Sequence, residues 1–155
     1  MPATLRDDLR QKRPFRSTHE EAVLNVIRTS ATLTDALDLV LKPHGISPTQ
    51  YNVLRILRGA EPDGLCRNEV RDRMLTRMPD MTRLLDRMEE AGLVTRSREG
   101  GDRRMVLTRI TKQGRKLVDE LDAPVTKVHK SRLGHLTEHQ LRSLSDLLTL
   151  ARQAG

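Results

Sequence analysis

The chain has 155 residues, 28 Lys+Arg against 21 Asp+Glu for a net charge of +7, and a single cysteine. That length suits one compact domain or a small module wrapped by extra helices. The lone Cys66 excludes an intrachain disulfide and suits a reducing cytoplasm. No run of about 18 apolar residues is present to span a membrane, and the opening stretch, with acids among its bases and no apolar centre, does not read as a signal peptide.

Arginine dominates the basic residues, and its fork matches phosphate oxygens and guanine edges, so the charge favours an anionic polymer as partner. Phe15 and Tyr51 are the only aromatics. A platform for stacking single strands needs several exposed rings, which leaves duplex DNA as the better nucleic-acid partner.

Residues 1–16 are basic and read as a short helix or an arm. From Ser17 the apolar residues Val23, Val26, Ile27, Leu33, Leu37, Val40 and Leu41 recur at helical spacing. Ser17 or Thr18 caps the start, and Pro43 and Gly45 end it. A helix of that length exceeds what so small a domain can bury alone, so it is expected to pack on a partner chain. Ser47-Pro48-Thr49-Gln50 is a capping box with proline at the first helical position, opening a central helix that ends near Gly59. Two short helices follow. The first covers Asn68 to Met74; the second is expected to open at Pro79, run to Ala91 and close at Gly92.

Met81, Leu84, Leu85 and Met88 give that second helix one apolar stripe. Pro79, Arg83, Asp86 and Glu90 lie opposite, with Thr82 and Arg87 on the flanks. Two short helices, a tight turn and a polar outer face make a helix-turn-helix. Residues 93–98 and 105–110 are rich in strand formers, and Glu99-Gly100-Gly101-Asp102 supplies a turn between them, so the pair is expected to form a hairpin wing. Thr111 then caps another long helix, with Pro124 expected to kink it. Thr137-Glu138-His139-Gln140 is a further capping box before a last helix carrying Leu141, Leu144, Leu147, Leu148 and Leu150.

The segment from Asp80 through Thr82-Arg83-Leu84-Leu85-Asp86-Arg87, then Asp102-Arg103-Arg104, then Thr111-x-x-Gly114, resembles the MarR family of bacterial transcriptional regulators. The resemblance runs from about Val23 to the C-terminus. It implies a mainly α fold with a small β wing (α+β), a winged helix-turn-helix whose long N- and C-terminal helices interlock in a homodimer. It also implies binding to a short inverted repeat, usually as a repressor released by a small molecule or an oxidant. The expected division is an arm and dimerisation helix at 1–45, a DNA-binding lobe at 46–110, and C-terminal dimerisation helices at 111–155.

The residues support a DNA reader on chemical grounds as well. Two recognition helices in a dimer lie about one DNA turn apart. Arg83 is suited to a guanine O6/N7 edge, Thr82 to a base or a phosphate, and Arg77 to a phosphate. The alternatives are intrahelical pairs of Arg83 with Asp86 and of Arg87 with Glu90, worth tenths of a kcal/mol; Arg87 could also hold the wing. Pro79 and Asp80 complete the set at the mouth of the helix. In the family pattern a wing arginine enters the minor groove while the aspartate orients a neighbouring arginine. Arg103 is accordingly placed at the tip and Arg104 paired with Asp102, although the two arginines could exchange roles. Arg96 and Arg98 on the wing strand are phosphate candidates.

Other functions find less support. His129, His135 and His139 cluster in sequence with Glu138 nearby, but they do not share one helical face by rule, so no metal site is assigned. Cys66 sits beside Arg67, which could activate it, yet a buried structural cysteine is the better account. No nucleophile motif, phosphate loop or protected carboxylate pair marks an enzyme, and no cofactor is expected. A protein-interaction module on the same fold would need an apolar or acidic exposed face in place of the arginines. A small-molecule effector, if there is one, is expected near Tyr51, where the long helices meet the lobe.

Overall fold

A computed structural model describes residues 1–98 and 104–153. The chain opens with a single helical turn, α1 (Leu5–Asp8), whose capping box pairs Thr4 with Asp7. The Thr4 hydroxyl and backbone N–H both reach the Asp7 carboxylate and hold its pKa below the ordinary value. The long helix α2 (Thr18–Leu41) starts where expected, with the Glu20 N–H donating to Ser17 Oγ at 3.1 Å. Pro43 does not cut the chain abruptly. Lys42–His44 tighten into a 3-10 turn, and Gly45 closes it at φ 74°, a left-handed conformation that glycine adopts without a steric penalty.

Helix α3 (Pro48–Gly59) is fixed by the predicted box. Ser47 N–H donates to Gln50 Oε1 at 3.0 Å, and Gln50 N–H returns to Ser47 Oγ at 3.2 Å. Tyr51, Val53, Leu54 and Leu57 are buried along it, which makes α3 the spine of the core. Two sequence expectations need correction at the next step. Leu65–Cys66 form a short strand, β1, where none was expected, and helix α4 spans Arg67–Asp72, earlier at both ends than the sequence implied. Cys66 is accordingly not a buried structural cysteine: it is half-buried at the junction, capping α4 with its backbone N–H on Glu69. Strand formation wins here because both residues have a partner to pair with, a long-range fact that two residues cannot signal locally.

Helix α5 (Met81–Glu90) buries Met81, Leu85 and Met88, with Leu84 half-buried, as its stripe requires. Pro79 does not open it: Asp80 is the cap, its carboxylate accepting the Arg83 N–H at 3.0 Å, and Pro79 lies outside. An aspartate side chain can satisfy an orphan N–H of the first turn, which proline cannot do. Gly92 ends the helix at φ 76°.

The wing strands are β2 (Val94–Arg98) and β3 (Val106–Ile110), antiparallel in the register Val94↔Ile110 to Arg98↔Val106. β1 adds to the other edge of β3, giving the order β1-β3-β2. The expected turn at Glu99–Asp102, and Arg103, lie outside the described residues.

Helix α6 (Lys112–Leu133) continues through Pro124, and α7 (Glu138–Gln153) follows the Thr137 box. α6 packs on both α2 and α3, burying Val118, Leu121 and Val125. Its first turn packs tightly on the lobe. Gly114 is buried, and a Cβ there would stand 2.2 Å from the Leu93 carbonyl oxygen. An ionic seam joins α6 to α3 and the turn after it: Arg58 on α3 bonds Asp119 at 2.8 Å and Asp122 at 2.7 Å, and Arg115 bonds Glu61. Asp122, followed by Asp119, raises the Arg58 pKa, while Arg58 depresses that of Asp122.

The apolar faces of the first and last long helices remain open in one chain. Val23, Val26, Ile27 and Leu39 are exposed on α2, as are Leu144, Leu147 and Leu150 on α7, and no described residue of α7 is buried. No helix among the described residues is long and apolar enough to cross a membrane.

Candidate nucleic-acid interface

The first turn of α5 decides the character of this surface. With Met81, Leu85 and Met88 turned into the core, the helical repeat forces Thr82, Arg83 and Arg87 outward, and all three are exposed. Neither intrahelical pair weighed from the sequence, Arg83 with Asp86 or Arg87 with Glu90, is made.

Asp86, the acid considered for Arg83, is engaged elsewhere, as is Glu89. Arg96, on β2, donates one Nη2 to Asp86 at 2.5 Å and to Glu89 at 3.0 Å, and its backbone N–H reaches Glu89 at 3.0 Å. Its side chain is only 24% exposed. The same contacts depress the Glu89 pKa and raise that of Arg96, where the Glu89 bond is the largest influence. Arg96 was expected at a phosphate; its guanidinium is instead bound to Asp86 and Glu89, which ties strand β2 to α5. The role considered for Arg87 thus falls to Arg96. Periodicity could not reveal it, because the clamp joins two elements whose relative placement depends on the whole lobe.

The remaining candidates divide by position. Arg77 and Pro79 are exposed in the approach to α5, and Asp80 is occupied as its cap. The approach itself is pinned by Asn52 on α3, whose Oδ1 accepts the Leu75 N–H at 2.8 Å. Arg98 is exposed at the end of β2 and Arg104 is exposed before β3. The expected pairing of Arg104 with Asp102, and the placement of Arg103, fall outside the described residues. Between α4, α5 and the wing runs a cleft of about 490 Å³ lined by Arg67, Thr82, Arg96, Arg104 and Met105, among others. Arg67 was missed as a site residue: its Nη1 donates to Thr82 Oγ1 at 2.9 Å. The only sequence signal was another arginine near the helix-turn-helix.

A profile of the MarR family matches residues 44–105, the span from the 3-10 turn to the second wing strand. A MarR transcription factor from Planctomyces limnophilus is 36% identical, with 88% of this chain and 99% of that one covered at a TM-score of 0.68. The chain is a member of the MarR family. This MarR-family protein is also similar to the HTH-type transcriptional regulator FarR of Neisseria gonorrhoeae, at 27% identity over 87% of this chain and 91% of that protein. CouR of Rhodococcus jostii RHA1, solved bound to p-coumaroyl-CoA, is 25% identical at a TM-score of 0.73, covering 86% of this chain and 93% of CouR. The Planctomyces limnophilus and Neisseria gonorrhoeae relatives are regulators of transcription, not enzymes.

Elsewhere in this regulator, Tyr51 is buried at the seam between α3 and α6, where burial raises the pKa of its phenol. His129, His135 and His139 are exposed, and no group of three metal-ligating side chains occurs among the described residues.

Proposed function

We propose that the protein acts as a homodimer on an inverted-repeat operator, with one α5 helix from each chain in successive major grooves. The observation that carries this reading is the outer face of α5. Arg83 and Arg87 stand exposed without an ion pair among the described residues, and Arg96 has taken up Asp86 and Glu89. A cationic edge prepared in this way matches guanine O6/N7 and phosphate oxygens. Arg77, Arg98, Arg103 and Arg104 extend it along the backbone and the wing, Pro79 and Asp80 shape its mouth, and Thr82 adds a hydroxyl.

The division of labour follows. Residues 46–110 form the reading lobe, while 1–45 and 111–155 supply the arm and the dimer interface, whose apolar surface is exposed in a single chain. Two reading heads multiply affinity by making the second contact intramolecular. Repression by occlusion of polymerase is the mode, relieved by a small molecule near Tyr51, where movement would respace the heads. The ligand-bound CouR structure supports such an effector.

The test is fluorescence anisotropy on duplex DNA from upstream of the protein's own gene, beside a scrambled duplex, over a salt series. Preference for the native duplex is expected, and Arg83→Ala should remove roughly 1–3 kcal/mol of it. Absence of binding at low salt would overturn the reading. An effector response unaltered by Tyr51→Ala would remove the effector site from that position.

A further inference from the structure

We infer that Arg67, on the helix before the recognition helix, sets the polarity of the Thr82 hydroxyl and so takes part in reading DNA. The inference rests on the assignment of α5 to the major groove. Arg67 is the first residue of α4 and Thr82 the second of α5, and both are exposed. Their 2.9 Å bond carries a guanidinium onto the first turn of the recognition helix, at the cleft both residues line. An exposed hydrogen bond of this type competes with water and adds little to the fold. Its effect is on chemistry.

A hydroxyl has one proton to give and two lone pairs, whereas a guanidinium has donors alone. With Arg67 donating to Thr82 Oγ1, the hydroxyl proton must turn away from the arginine. Thr82 makes no side-chain bond to a carbonyl of its own helix, as the hydroxyls of Thr32 and Thr149 do on theirs. Arg67 thus occupies one of the two Thr82 lone pairs, and the hydroxyl keeps one lone pair and a proton aimed away from the arginine. A proton held in that direction donates to guanine N7 or O6 or to a phosphate oxygen. Arg67 is a positioning residue in this scheme, since it acts through the threonine.

A double-mutant cycle tests it. Arg67→Ala, Thr82→Val and the double variant are titrated on the native and scrambled duplexes, with Arg67→Lys as the conservative variant. Each single change should weaken the native duplex about tenfold, the double variant no more than the worse single one, and lysine should restore part of the loss. A loss confined to the native duplex assigns the acceptor to a base. An equal loss on both, with the salt slope lowered by about one, assigns it to a phosphate. Unchanged binding by Arg67→Ala, or losses that multiply in the double variant, would overturn the inference. If the parent protein binds no duplex, the groove assignment fails and takes this inference with it. If Arg83→Ala weakens binding while Arg67→Ala does not, the part assigned to Arg67 alone fails.

Discussion

The lobe and the terminal helices solve the same problem, hiding apolar surface, in opposite ways. The lobe closes upon itself: Val53, Leu54, Val70 and Met88 are fully enclosed around α3, and the polar Thr108 is held inside the sheet. α7 carries leucines at comparable spacing, yet Leu147 and Leu150 remain more than 60% exposed. An unburied stripe on an otherwise well-formed helix is a surface made for another chain. The lobe is therefore expected to hold its fold from within, while the terminal helices need a second copy to complete them.

The largest effect should come from disrupting that second copy. Leu147→Glu is expected to give a monomer by sedimentation and to lower operator affinity by roughly 10²–10⁴, the factor that linkage of two heads supplies. The lobe should keep its helical circular dichroism. Next, Leu54→Ala opens the enclosed core and should cost about 2–5 kcal/mol in urea unfolding. A loss as small for Leu54→Ala as for an exposed α7 leucine would erase the contrast between the regions.

A smaller effect is expected where the wing is clamped. Arg96→Ala frees Asp86 and Glu89 and should weaken the operator complex several-fold, at a stability cost of about 0.5–1 kcal/mol since the partners are partly solvated. The smallest concerns acid. Arg58 depresses the Asp122 pKa below its ordinary 3.8, so the pair's stabilisation is complete above the ordinary value and is lost as pH falls through the depressed one. Asp122→Asn should remove that loss between pH 5 and 2, read as a flatter pH dependence of the urea midpoint. The amplitude is a few tenths of a kcal/mol for so exposed a carboxylate.

What the sequence disclosed was whatever is written locally. The Ser47–Gln50 and Thr137–Gln140 boxes, the Met81–Leu85–Met88 stripe and the glycine stops each depend on residues within one or two turns, and each appeared in place. Pro79 misled because proline is favoured at a helix start, but Asp80 next to it offers a better cap. β1 escaped notice because two residues become a strand only when β3, some forty positions later, is beside them. The site divides likewise. The outward face of α5 followed from periodicity, whereas the Arg96 clamp and the Arg67–Thr82 bond join separate elements and become visible only when the lobe is assembled.

The contact of Gly114 with Leu93 bears on how such regulators can be recombined. Reading lobe and terminal helices here meet with room for a hydrogen atom and nothing larger, 2.2 Å from a backbone carbonyl that no rotamer change can clear. A chimaera that joined this lobe to the terminal helices of a relative would inherit that spacing as a fixed joint. Leu93 and the Thr111–Gly114 turn, whose Thr111 hydroxyl also bonds the Gly92 carbonyl at 2.7 Å, behave as one transferable part. Either side of it can be exchanged, provided the joint travels whole.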